Sequence, residues 1–150
     1  IGGKISHFLL NFYSVMDVMK IGGVMALIFS TLFCLVVYSI QSIALLVILS
    51  WLCVFCIMTS LGLVIGNAFT LALEPFSHCS GIAASILGFL YYGVISLDAA
   101  LMAELHNGTI YVMPVFWLIE IGFCVSLIFL LHAWGMVEHF QSLVAVAPAE

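Results

Sequence analysis

Charge is what this chain lacks most. Of its 150 residues two are basic and seven acidic, charged side chains make up 6% of the total, and arginine is absent. A soluble domain is about one quarter charged, so this composition cannot cover a water-facing surface. The net charge of −5 argues against nucleic acid and anionic lipid as electrostatic partners. An initiator methionine is missing too: residue 1 is Ile, and "IGGKIS" carries neither a charged n-region nor a cleavage site behind it. The chain reads as cut from a longer one. Catalytic signatures are also missing, with no nucleotide-binding loop, nucleophile elbow or kinase-like motif. His7, His78, His106, His132 and His139 are scattered, without the paired spacing of metal ligands. No enzyme activity, cofactor or metal is therefore expected.

What the chain has in abundance is apolar length. It is 66% hydrophobic, with mean hydropathy +1.38. From Ile21 to Leu73 there is no Asp, Glu, Lys, Arg or His. A helix needs about 20 apolar residues to cross a bilayer, so this run predicts two spans, 18–38 and 43–66, turning at Ser39-Ile40-Gln41-Ser42. Further apolar stretches predict spans over 80–103 and 111–132. The expected fold is an all-α membrane protein of four transmembrane helices; barrel strands would alternate polar and apolar residues, and these runs do not. Residues 1–17 read as a cytoplasmic or interfacial connecting segment and 133–150 as a cytoplasmic tail. Lys4 and Lys20 put the leading end in the cytoplasm, and four crossings would return the other end there. Ser14-Val15-Met16-Asp17 matches a capping box, and Ser77 or Ser80 is a plausible N-cap for the third span.

The segment 67–79, "NAFTLALEPFSHC", is too polar for mid-bilayer, and Pro75 predicts a break at Glu74. The helix after it is rich in small residues: Gly81 and Ser85, Ala84 and Gly88, Ser96 and Ala100 each stand four apart. Between membrane helices association depends on close backbone approach, so this spacing predicts a helix pressed against others.

"EPFSHCSGIAASILG" and "HNGTIYVM" together resemble the last third of major facilitator transporters, nearest the Bcr/CflA-type drug:proton antiporters. Pro75, Gly81, Ala83, Ser85 and Gly88 fall on one motif of that group, and His106, Asn107, Gly108, Thr109 and Met113 near the second. The resemblance covers roughly 60–130. It implies that the four spans are helices nine to twelve of a twelve-helix fold, in a bacterial inner membrane, with both ends cytoplasmic. It implies the C-terminal fragment of a proton-coupled multidrug efflux transporter that moves small amphipathic compounds by alternating access. Its partners would be membrane lipid, protons, the substrates and the missing N-terminal helices. The arginine-rich loop usual before the ninth helix is absent.

Several side chains are candidates for the chemistry. Glu120 lies near the middle of the fourth span, where an ionised carboxylate costs about 2.5–3.5 kcal/mol; it and Asp98 are proton-coupling candidates, with a merely hydrogen-bonded Glu120 as the alternative. Trp51, Phe55 and Thr59 recur at i, i+4, i+8 and are candidates for a substrate cavity, or for plain packing. Asn67, Pro75, Gly81, Ser85 and Gly88 are candidates for helix packing and gating. Cys53 and Cys56 form a C-x-x-C, which raises a membrane thiol oxidoreductase, although thiols inside hydrocarbon are poorly reactive. A free-standing four-helix membrane subunit or interaction protein is the remaining alternative.

Overall fold

In lipid every backbone N–H and C=O must find its partner within the protein, which leaves apolar segments such as these only the helix. The computed structural model describes residues 12–134, and all its regular elements are helical. They are α1 (Val15–Ser39), α2 (Ile43–Leu73), α3 (Ser80–Leu105) and α4 (Val112–Ala133), with a 3-10 turn, Glu74–Cys79, between α2 and α3. Residues 1–11 and 135–150, which hold most of the expected connecting segment and tail, lie outside the described residues.

Three helical runs among the described residues are long and apolar enough to cross a membrane: Val15–Ser39, Ile43–Leu105 and Val112–Ala133. The expected four-helix set, equivalent to helices nine to twelve of the major facilitator fold, is therefore corrected to three. The reason lies in 67–79, where a loop was expected. α2 continues to Leu73 and passes straight into the 3-10 turn. Glu74 keeps helical angles (φ −51°, ψ −46°) despite the proline that follows. Pro75 sits in the first positions of the 3-10 turn, where its missing N–H costs no hydrogen bond. Phe76 (φ −104°, ψ 26°) and the last residue, Cys79 (φ −131°, ψ 35°), depart from helical geometry within the turn. The spans expected at 43–66 and 80–103 are thus two arms of one 63-residue run. It doubles back at this elbow, because Leu46 and Met102 line the same cavity.

The helix starts also differ from expectation. Ser14 is the N-cap of α1, but its side chain makes no capping bond; its carbonyl accepts from Val18 N–H instead. Asp17 is drawn to Lys20, 3.4 Å away, rather than back to the cap. Neither Ser77 nor Ser80 caps α3: Cys79 stands there, again without a side-chain bond.

α1 is the central helix, packed on α2 and α4. Its two adjacent glycines let both neighbours approach. A Cβ on Gly22 would lie 3.0 Å from the Leu63 Cβ and the Ser60 carbonyl oxygen of α2, and one on Gly23 would lie 3.1 Å from the Val125 side chain of α4. The core follows from that closeness: Ala26, Phe33 and Val37 of α1 meet Cys53 and Ile57 of α2 and Ile121 of α4. Phe33 and Trp117 rings lie 6.2 Å apart and Tyr38 and Tyr111 5.1 Å apart, which sets α4 antiparallel to α1. α3 is different, burying none of its residues. It is tied back by a T-shaped contact of Phe69 with Tyr91, ring centroids 5.3 Å apart, and by the connection to α4.

Candidate functional site

The α3–α4 connection sets the site. Asn107 Oδ1 accepts from both the backbone N–H (3.1 Å) and the hydroxyl (2.6 Å) of Thr109, and Gly108 between them has φ +79°. That left-handed backbone suits glycine, so "HNGT" makes a tight reversal and brings α3 and α4 into an antiparallel pair.

Asp98 and Glu120 stand eleven residues on either side of Thr109. At 1.5 Å per residue, Asp98 lies about 10 Å from the end of α3 and Glu120 about 12 Å into α4. They meet: the two side chains are within hydrogen-bonding reach across the helix pair. Both are half-buried. Ionised carboxylates only accept hydrogen bonds, so a carboxyl–carboxyl bond requires one proton held between them. Two carboxylates side by side in low dielectric would instead repel strongly. The register of the ring contacts places Ser30 of α1 at the depth of Glu120. Its hydroxyl is fully buried and has no hydrogen-bond partner, whereas Thr31, Ser60, Ser96 and Ser126 each donate to the carbonyl four residues back.

A cavity of about 470 Å³ lies at the same end of the bundle, within the usual range for small-molecule sites. Phe33, Ser50, Trp51, Met102, His106 and Thr109 are among its lining residues. Its boundary reaches down α3 to Met102, one helical turn from Asp98, so these two share one face of that helix, and His106 stands just beyond the helix end in extended backbone.

The other sequence candidates are placed as follows. Trp51, 75% exposed, lines this cavity; Phe55 is 55% exposed and lies away from it, and Thr59 donates to the Phe55 carbonyl at 2.9 Å. The packed face of α2 is the opposite one, through Cys53, Ile57, Ser60 and Leu63. Asn67 is buried on that packed face and donates to the Leu63 carbonyl. Pro75 is in the elbow. A Cβ at Gly81 or Gly88 would meet nothing within 4 Å, and Ser85 donates to the Gly81 and Ile82 carbonyls of its own helix. The close approach predicted for these small residues occurs at Gly22 and Gly23 instead, and the adjacent glycine pair followed by Ala26 was its only signal in the sequence. Cys53 is buried, and all five thiols are free. No group of three His, Cys, Asp or Glu that could hold a metal occurs among the described residues.

No family model, no curated protein and no solved structure matches the chain. With the helix set corrected as well, the resemblance to Bcr/CflA-type major facilitator transporters is not upheld. What stands is a multi-pass, all-helical apolar membrane protein whose faces are built for lipid.

Proposed function

We propose that the chain is the membrane part of a proton-coupled transporter of small amphipathic compounds, with a transport rather than a catalytic role. The observation that carries this reading is the meeting of Asp98 and Glu120 within the apolar bundle. Paired intramembrane carboxyls are expensive in hydrocarbon and typically mark proton or ion pathways. Asp98 and Glu120 hold and release one proton between them, and the cavity one turn away receives the compound. There Trp51 and Phe33 offer ring faces for an apolar body, while Ser50, His106 and Thr109 supply hydrogen-bonding groups for a polar end. The setting is a bacterial inner membrane, with the Lys4 and Lys20 side cytoplasmic.

The test is transport in proteoliposomes under an imposed pH gradient, read with a fluorescent amphipathic dye. Wild-type vesicles accumulate dye only when the gradient is present. Glu120→Gln and Asp98→Asn should each lower gradient-driven uptake at least about tenfold, in line with loss of a coupling group, while circular dichroism stays unchanged. Uptake by Glu120→Gln at the wild-type rate, or by wild-type vesicles no faster than by empty ones, would overturn the proposal.

A second reading has its own observation. α3 buries none of its residues, which also fits a subunit that offers this helix to another membrane protein. Cross-linking through α3 in the native membrane, without any dye transport, would select it.

A further inference from the structure

A second cavity, of about 540 Å³, opens at the turn end of the bundle, between the ends of α1 and α3 and the start of α4. Its two ends differ in chemistry. Along α4 its wall is Val112, Val115 and Ile119, spaced i, i+3, i+7 and so on one helix face. That apolar strip runs about 10 Å into the hydrocarbon. At the rim stand Tyr38, Asn107 and Tyr111. The two tyrosines, ring centroids 5.1 Å apart, are 62% and 45% exposed and mark the headgroup level, where tyrosine gathers. Asn107 spends its Oδ1 on Thr109, so what it offers a ligand is its amide N–H groups. Opposite poles flank this rim. α4 starts there with no side-chain cap and no acidic residue in its first turn, which leaves the positive end of its dipole open. α3 finishes there with the exposed Glu104 and no basic residue in its last turn, which makes that end negative. Lys20, the one Lys or Arg among the described residues, lies at the far end of α1 beside Asp17.

We propose that this cavity holds one membrane phospholipid with a zwitterionic, primary-ammonium headgroup, of which phosphatidylethanolamine is the simplest. Hydrogen-bond donors over an apolar strip suit a lipid, and the paired poles suit a zwitterion. The phosphate sits at the start of α4 and accepts from the Tyr38 and Tyr111 hydroxyls and the Asn107 amide. The ammonium donates to the Glu104 carboxylate, and one acyl chain follows Val112, Val115 and Ile119 into the membrane. An anionic headgroup would meet the same donors but none of the Lys and Arg on which anionic-lipid sites are built, and Glu104 would repel it. A choline headgroup keeps the positive charge but has no N–H to give the carboxylate. Neither Asp98 nor Glu120 lines the cavity, so the lipid site stands or falls apart from the proton pair.

The experiment is native mass spectrometry of the chain released from nanodiscs that hold equal parts of phosphatidylethanolamine, phosphatidylcholine and phosphatidylglycerol with identical acyl chains. The expected result is one retained lipid per chain, with phosphatidylethanolamine favoured about fivefold over either competitor, the scale of one partly exposed ion pair. Glu104→Gln, an isosteric change at an exposed position, removes that preference while lipid is still retained. The Tyr38→Phe/Tyr111→Phe pair, which deletes only the two hydroxyls, weakens retention of all three lipids alike, by about fivefold or more. A second measurement locates the lipid without any substitution. Phosphatidylethanolamine with a photoreactive diazirine in its acyl chain labels α4 between Val112 and Ile119 in preference to the exposed face of α3. Equal retention of the three headgroups, a preference that Glu104→Gln leaves intact, retention indifferent to both tyrosine hydroxyls, or label spread evenly over the lipid-facing helices would each overturn the site.

Discussion

α1 and α3 have nearly the same length, and α3 is the richer in small residues, yet α1 is locked into the bundle and α3 lies along its side. On α1, Gly22 and Gly23 face opposite neighbours at 3.0–3.1 Å, and eight of its 25 residues are buried. On α3, glycine, alanine and serine make up 11 of 26 residues against 5 of 25 on α1, yet none is buried. Small residues permit close approach, but they do not attract. What differs is the partner surface: α2 and α4 offer Leu63, Val64 and Val125 to the α1 glycines, and nothing comparable stands against α3. Packing in lipid is decided by shape on both sides of the seam, and only α1 has both.

The largest expected effect that tests this comparison is steric. Gly22→Leu drives a side chain into the Ser60 carbonyl and the Leu63 Cβ, atoms that cannot turn aside, and should cost about 3 kcal/mol or abolish folding. Gly88→Leu meets nothing and should be neutral or slightly stabilising through helix propensity. Reversible unfolding in bicelles measures both, and equal losses would break the comparison. Next in size is the core. Ile57→Ala, at a fully buried position, should cost about 2–5 kcal/mol, against roughly 0.5 kcal/mol or less for Ile86→Ala, which is 57% exposed. Smallest is the aromatic tie near the elbow. Tyr91→Leu removes the edge contact with Phe69, worth about 0.5–1.5 kcal/mol. It should leave the unfolding midpoint almost unchanged while speeding amide exchange in α3 relative to α1.

The positions of the helices were legible in the sequence because the barrier to placing charge in lipid is steep. The charge-free run after Lys20 gave helices at 18–38 and 43–66; α1 covers the first, whereas the second is only the opening arm of the Ile43–Leu105 run. The last span, 111–132, is met by α4 within one residue at each end. The elbow was legible in part: Pro75 predicted the break at Glu74, where α2 ends, but not that 67–73 stays helical and that Pro75 opens a 3-10 turn in place of a loop. Glu120 and Asp98 stood out singly, as carboxyls in apolar helices. Their meeting was harder to read, because it depends on where the reversal centres. The Gly108 backbone and the Asn107–Thr109 bonds fix that point, after which equal spacing on either side follows. Trp51 and Phe55, candidates for a cavity or for packing, stand on the exposed face of α2, while the smaller Cys53, Ile57 and Ser60 form the close seam.

The central claim is that Asp98 and Glu120 share one proton inside the membrane. Infrared difference spectroscopy of the protein in lipid, compared with Glu120→Gln and Asp98→Asn, tests it directly. The account predicts a protonated-carboxyl C=O band near neutral pH that either substitution alters or removes, and that bleaches when the medium is made alkaline. A wild-type spectrum without such a band, or one that neither substitution changes, would contradict it.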